Sequence, residues 1–133
     1  LARKSGHIVL VGSLNAFMSV PTFAVYSATK AFVRSFGEAL AGECAGSGVS
    51  VTTVHPGATA TEFSDVAEMN VSPLLEKGMM TPGEVAHIGI SAARRGAVSV
   101  VTGLMNKLMV FLLWLSPGFM VRAGAKFGIG LMK

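Results

Sequence analysis

Residues 6–30 read GHIVLVGSLNAFMSVPTFAVYSATK, and this stretch decides the fold. It opens with an apolar run at 8–11 that has strand length and is partly β-branched, which is typical of a buried strand. Ser13 follows at the point where that strand should end. An alanine-rich helical pattern comes next and carries Tyr26 and Lys30. Residues four apart share one face of a helix, so the sequence predicts that these two side chains are neighbours.

A serine, a tyrosine and a lysine arranged in this way can transfer protons. Tyrosine is a poor general base at neutral pH, because the free side chain has a pKa of about 10. An ammonium group one helical turn away favours the charged phenolate. A serine hydroxyl can donate a hydrogen bond to a substrate oxygen on which negative charge develops. The pattern therefore predicts that Tyr26 exchanges a proton with such an oxygen, supported by Lys30 and Ser13.

The same residues resemble the short-chain dehydrogenases/reductases. The matching pieces are the strand-end serine of GHIVLVGS, the Tyr-x-x-x-Lys of YSATK and the thirteen-residue step between serine and tyrosine. SVTTVHPGATAT is similar to the family's next strand with its Pro-Gly turn. The resemblance implies that Ser13, Tyr26 and Lys30 are catalytic, and that Lys30 also holds the nicotinamide ribose of NAD or NADP. The cofactor-binding residues that it implies are Tyr26, Lys30, Pro56, Gly57, Ala58, Thr59 and Thr61. Ser19 and Ser27 are the other candidates for the serine role.

The resemblance and the order of elements both favour an α/β fold, the C-terminal half of a Rossmann-like doubly wound parallel sheet with a helical apolar C-terminal tail. A helix is expected over roughly 23–45 and a mainly β-branched, buried strand over 49–55. Thr81, Pro82 and Glu84 are typical of a capping box that begins another helix. A strand at 98–102 would follow. Ligands of such sheets bind beyond the carboxyl ends of the strands, where Ser13 and the Pro-Gly turn both fall.

The first long helix has two kinds of surface residue. Its small residues permit close packing against a sheet or a partner helix. Its apolar positions lie on or near one stripe, formed by Ala28, Phe32, Phe36, Ala39 and Leu40.

The resemblance implies that the family's glycine-rich turn, which seats the cofactor pyrophosphate, lies upstream of residue 6. We therefore expect the chain to be the C-terminal half of a longer enzyme, inactive alone. Residues 1–103 would form a partial NAD(P)-binding catalytic domain and residues 104–133 an apolar helical extension. The G-x-x-x-G-x-G spacing at 124–130 is interpreted as coincidence, because such a turn needs a helix after it.

Composition narrows the class of protein. The chain has 133 residues, of which 51% are hydrophobic and 14% charged, so it is not a disordered tail. A single cysteine excludes an internal disulfide and suits the cytoplasm.

The histidines and the net charge argue against two kinds of binding site. Three widely separated histidines lack metal-ligand spacing, which argues against a metal site, and His55 is interpreted as a strand-end residue. The net charge of +4 is scattered without aromatic–basic interleaving, which argues against nucleic-acid binding. It suits weak attraction to anionic membranes instead.

Two segments keep alternative interpretations. Residues 58–81 mix methionines with glycine and proline, which indicates either a hinged lid over an apolar substrate or an ordinary helix and loop. Residues 108–115 read LMVFLLWL, shorter than the roughly 20 apolar residues that cross a membrane. This tail could lie in a membrane interface with Trp114 at headgroup level, in a dimer interface, or over the substrate pocket.

The function expected from all this is an NAD(P)-dependent oxidoreductase that interconverts a carbonyl and a secondary alcohol on a small apolar substrate. The full-length enzyme is expected to be a homo-oligomer in the cytoplasm, with peripheral membrane contact through residues 104–133 left open. The alternative is a non-catalytic membrane-surface or dimerisation module that uses the apolar tail.

Overall fold

The computed structural model describes residues 4–61 and 78–116. The described elements are strand β1 (Gly6–Val11), a 3-10 helix (Leu14–Phe17), helix α1 (Ala24–Glu43), strand β2 (Val49–His55), helix α2 (Pro82–Arg94), strand β3 (Ser99–Val101) and helix α3 (Leu104–Leu115). Most of residues 58–81, for which a lid or an ordinary helix and loop was expected, and the glycine spacing at 124–130 lie outside the described residues.

The described strands form one parallel sheet in the order β1-β2-β3. β1 pairs with β2 from Gly6 opposite Val49 to Val11 opposite Val54. β2 is central, and five of its residues in a row, 51–55, are buried. The expected α/β class with a parallel sheet is confirmed, and the carboxyl ends of β1 and β2 meet at one edge.

Helix α1 packs on the sheet through its small residues. Ser27 and Gly37 are its buried residues. A Cβ built on Gly37 would overlap the Thr53 hydroxyl of β2, so the helix backbone lies as close to the sheet as glycine permits. Phe32 and Phe36 of the predicted apolar stripe stack on each other at 5.9 Å between ring centroids and are exposed. Gly37 therefore faces the sheet, whereas Phe32 and Phe36 lie on an exposed side of the helix.

Helix α2 begins with the predicted capping box. The Thr81 hydroxyl accepts from the Glu84 amide at 3.3 Å, and the Glu84 carboxylate accepts from the Thr81 amide at 2.8 Å. The hydrogen bonds from Thr81 lower the pKa of Glu84 below its usual value. At the sheet face, a Cβ on Gly89 would approach the Val54 side chain to 2.9 Å, so this helix too packs closely on β2.

Helix α3 differs from the other two because none of its residues is buried. It follows Gly103, whose φ of +83° suits glycine. Asn106 anchors its first turn by donating from Nδ2 to the Thr102 carbonyl at 2.7 Å. Within the part of the chain that the structure describes, no helix combines the length and the apolar character needed to cross a bilayer.

Candidate active site

Ser13 lies where the sequence predicted it, just beyond the carboxyl end of β1. It caps the 3-10 helix, and its Oγ accepts from the Asn15 amide at 3.2 Å. The Leu14 amide donates to the Pro56 carbonyl at 2.9 Å, so the pairing of the two strands continues past their ends. The serine and the Pro-Gly turn are thereby held at the same edge of the sheet. Of the other two candidates, Ser19 is exposed and Ser27 is buried.

Tyr26 and Lys30 lie one turn apart on α1, as the spacing predicts. The Lys30 Nζ is 5.6 Å from the centroid of the Tyr26 ring. The same Nζ donates to the carbonyl of Val11, the last residue of β1, at 3.0 Å. Because Val11 is two residues before Ser13, this hydrogen bond fixes the tyrosine–lysine turn beside the strand end that carries the serine. Tyr26 is also held by an edge-to-face contact with Phe23, at 6.3 Å between centroids.

His55 is a member of this site that sequence reasoning left out. It is fully buried at the end of β2, and its Nδ1 lies 3.3 Å from the Ser13 carbonyl oxygen. Burial lowers the pKa of His55, which favours the neutral ring. A neutral ring that carries its proton on Nδ1 donates a hydrogen bond to the Ser13 carbonyl oxygen. The Phe17 ring packs edge-to-face on the imidazole, with 4.8 Å between the ring centroids. His55 therefore positions the serine backbone; its place before the Pro-Gly turn was the signal available in the sequence.

Gly12 is required for this histidine to fit. A Cβ built on Gly12 would lie 2.5 Å from the His55 Nδ1 and 3.2 Å from the Val54 carbonyl oxygen. Close packing between the ends of β1 and β2 thus requires glycine at position 12, the residue before Ser13.

The loop after β2 carries the other residues implied in cofactor binding. Pro56 and Gly57 are half-buried, Ala58 is exposed, and the Thr59 hydroxyl donates to the Gly57 carbonyl at 3.0 Å. The Ala60 amide donates to the Met80 carbonyl at 2.9 Å, which ties this loop to the start of α2.

The Pro-Gly turn is also backed by α3, a contact that the sequence did not predict. A Cβ built on Gly57 would overlap the side chain of Asn106. Asn106 lies in the segment that composition marks simply as an apolar tail, so nothing in its local pattern pointed to this turn.

The arrangement fits the nicotinamide end of a dinucleotide cofactor. It offers a cation at the strand end, a neighbouring phenol, and hydroxyl-bearing Thr59 and Thr61 on a loop at the same edge. Two grooves of about 350 and 640 Å³ lie elsewhere, since neither is lined by Ser13, Tyr26 or Lys30. Over residues 4–61 and 78–116, no group of three His, Cys, Asp or Glu side chains could hold a metal ion.

Comparison with known proteins gives a consistent family match. Residues 1–71 match the family model described as short chain dehydrogenase. Dehydrogenase/reductase SDR family member 7B of Xenopus tropicalis is 31% identical over 124 residues, which cover 88% of this chain and 40% of the frog protein.

Two solved structures are similar over most of the chain. A 7β-hydroxysteroid dehydrogenase superposes with a TM-score of 0.70 at 32% identity, covering 83% of this chain and 43% of the other. A short-chain dehydrogenase from Sphingobium yanoikuyae, in complex with NADPH, superposes with a TM-score of 0.68 at 30% identity, covering 77% and 40%. The chain thus spans less than half the length of each of these relatives.

Proposed function

This chain belongs to the short-chain dehydrogenase family, and on that premise we propose that it forms the catalytic part of an NAD(P)-dependent oxidoreductase. The reaction would interconvert a carbonyl and a secondary alcohol on an apolar substrate. Ser13, Tyr26 and Lys30 would be the catalytic residues.

The observation that carries this proposal is the hydrogen bond from the Lys30 Nζ to the Val11 carbonyl, at 3.0 Å. It joins the helix that bears the tyrosine to the strand end that bears the serine. A lysine on α1 that only contacted solvent would not make this hydrogen bond to the end of β1. The same ammonium group lies 5.6 Å from the tyrosine ring centroid, so the lysine and the tyrosine ring are neighbours beside this strand end.

In the proposed reaction each residue has a separate task. The Ser13 hydroxyl donates a hydrogen bond to the substrate oxygen and stabilises the charge that develops there. In the reducing direction the Tyr26 hydroxyl gives its proton to that oxygen; in the oxidising direction the phenolate takes the proton back. Lys30 stabilises the phenolate and binds ribose hydroxyls. When bound, the reduced nicotinamide supplies the hydride that adds to the carbonyl carbon.

NAD or NADP is the cofactor we propose, held at its nicotinamide end by Tyr26, Lys30 and the loop 56–61. Support comes from the donor set at this edge of the sheet and from the NADPH complex of the Sphingobium relative. The remaining contacts would come from a glycine-rich segment upstream. We therefore expect the 133-residue chain alone to show no turnover, and NADPH oxidation by the purified chain would contradict that expectation.

An apolar substrate and a homo-oligomeric enzyme are also part of the proposal. The 7β-hydroxysteroid dehydrogenase relative acts on a steroid, which is an apolar ring system carrying a hydroxyl group. The exposed, stacked pair of Phe32 and Phe36 on α1 offers an apolar surface that a second subunit could cover.

The proposal is tested with Ser13→Ala in the complete protein, assayed by NADPH and NADH oxidation with a panel of apolar ketones. Removing one donor from an oxyanion site typically costs about 10²–10³ in kcat. Ser35→Ala is the matched control, since Ser35 is an exposed serine on α1. Equal turnover in the Ser13 and Ser35 variants, or no ketone-dependent oxidation by the wild type, would overturn the proposal.

A further inference from the structure

Helix α3 exposes apolar side chains over its whole length. None of its 12 residues is buried. Leu104, Met105 and Trp114 are 85%, 75% and 82% exposed. A surface helix normally presents a polar face to water, but Lys107 is the single charged residue of this helix. α3 therefore has no side suited to bulk water.

The length of α3 excludes a spanning role. Twelve residues at 1.5 Å each extend about 18 Å, whereas a bilayer's hydrocarbon core is about 30 Å thick. A helix this short that contacts lipid would lie along the bilayer surface rather than across it.

Cationic side chains lie directly beside the apolar helix. A groove of about 640 Å³ between α3 and the edge of the sheet is lined by Arg34, Arg95 and Lys107, together with apolar side chains that include Phe111 and Trp114. Arg34 pairs with Glu38 at 3.0 Å, and Arg95 donates to the Ser91 hydroxyl. Lys107 has no side-chain hydrogen bond or ion pair to the described residues. The groove is therefore positively charged next to an apolar surface.

We propose that α3 docks on an anionic lipid bilayer. Its apolar side chains enter the boundary between headgroups and acyl chains, while Arg95 and Lys107 meet lipid phosphates. The negative potential of such a surface complements Arg95 and Lys107, the two groove cations that have no carboxylate partner among the described residues. A second copy of the chain fits less well, because a two-fold interface across α3 would bring the same cations together. This docking is separate from the proposed redox function and needs none of its catalytic residues.

The chain contains its own probe for this test. Trp114 is the only tryptophan, and it lies on the proposed docking surface. Vesicles made of equal amounts of phosphatidylcholine and phosphatidylglycerol should shift its fluorescence to shorter wavelength. Brominated lipids should quench it. Pure phosphatidylcholine vesicles should do this much more weakly, and high salt should weaken the effect of the anionic vesicles, since it screens charge.

Two sets of variants, each with its own control, separate the charge contribution from the apolar one. Lys107→Gln and Arg95→Gln should each weaken partitioning roughly fivefold, since a basic residue near an anionic surface contributes about 1 kcal/mol. Arg94→Gln, one position away and outside the groove, is the matched control and should weaken it less. Leu104→Asp should abolish the shift, whereas Val25→Asp, at an equally exposed apolar position on α1, should retain it. Circular dichroism checks that each variant is folded.

Four results would overturn the proposal. One is an unchanged Trp114 spectrum with anionic vesicles, and another is an equal response to phosphatidylcholine alone. A shift that grows with protein concentration in the absence of vesicles would assign the surface to a second copy. A response to soluble glycerol phosphate that matches the response to vesicles would assign the groove to a free phosphate.

Discussion

The carboxyl ends of β1 and β2 differ from helix α3 in how their side chains are held. At the strand ends, Lys30 and His55 bond backbone carbonyls within three residues of each other in the sequence, those of Val11 and Ser13. On α3 no residue is buried, although Asn106 at its first turn donates a side-chain hydrogen bond to the Thr102 carbonyl. The strand ends are complete enough to position reacting groups. The apolar side chains of α3, by contrast, are exposed, and the proposed contact with a lipid bilayer would cover them.

The contrast predicts that substitutions at the sheet change the free energy of unfolding strongly, whereas substitutions on α3 change it little. The largest effect is expected at Gly37. Gly37→Ala would push a Cβ into the Thr53 hydroxyl of the central strand. Overpacking of this kind typically costs about 1–3 kcal/mol of unfolding free energy. Urea unfolding of the purified chain measures it.

Gly42→Ala is the control for that change. Gly42 lies on the same helix with nothing within 4 Å of a built Cβ, so alanine there should stabilise by about 0.5–1 kcal/mol. If both alanines changed stability by the same amount, the close approach of α1 to the sheet would be wrong.

An intermediate effect is expected at His55, as a pH dependence of stability. Burial lowers the pKa of this histidine below its ordinary value of 6.5. The unfolded chain therefore binds a proton first as the pH falls, so stability is fully present above 6.5 and declines from 6.5 down to the folded-state pKa. His55→Gln should remove this decline, as measured by urea unfolding at a series of pH values.

His87→Gln serves as the comparison, because His87 is an exposed residue on α2. That variant should keep the wild-type decline. A wild-type stability that stayed level below pH 6.5 would contradict the buried, neutral state of His55.

The smallest effect is expected on α3. Leu104 is 85% exposed, so Leu104→Ala should change the unfolding free energy by less than about 0.5 kcal/mol. A loss of several kcal/mol at this leucine would mean that α3 is packed in the protein, and the contrast between the two regions would disappear.

Local patterns made much of the fold predictable. The neighbouring positions of Tyr26 and Lys30 follow from helix geometry alone, and the capping box at Thr81 and Glu84 depends on four consecutive residues. The strand at 49–55 was predicted with its observed bounds, because its β-branched run is bordered by glycines and by Pro-Gly.

The remaining features depend on contacts between distant parts of the chain. His55 meets Ser13 across 42 positions, through the register of two parallel strands that no local pattern fixes. Asn106 reaches the Pro-Gly turn only because α3 folds back toward the sheet. The outward direction of Phe32 and Phe36 likewise follows from which face of α1 carries Ser27 and Gly37.

The most direct test of the proposed site is Tyr26→Phe in the complete protein. Phenylalanine keeps the ring that contacts Phe23 but removes the proton, and Lys30 keeps its bond to Val11. Loss of a general acid–base group typically lowers the rate by about 10²–10⁴-fold, so kcat for ketone reduction should fall by that amount. The Kd for NADPH should change little, because Lys30 and the loop 56–61 still hold the cofactor. A Tyr26→Phe enzyme with wild-type kcat would contradict the account.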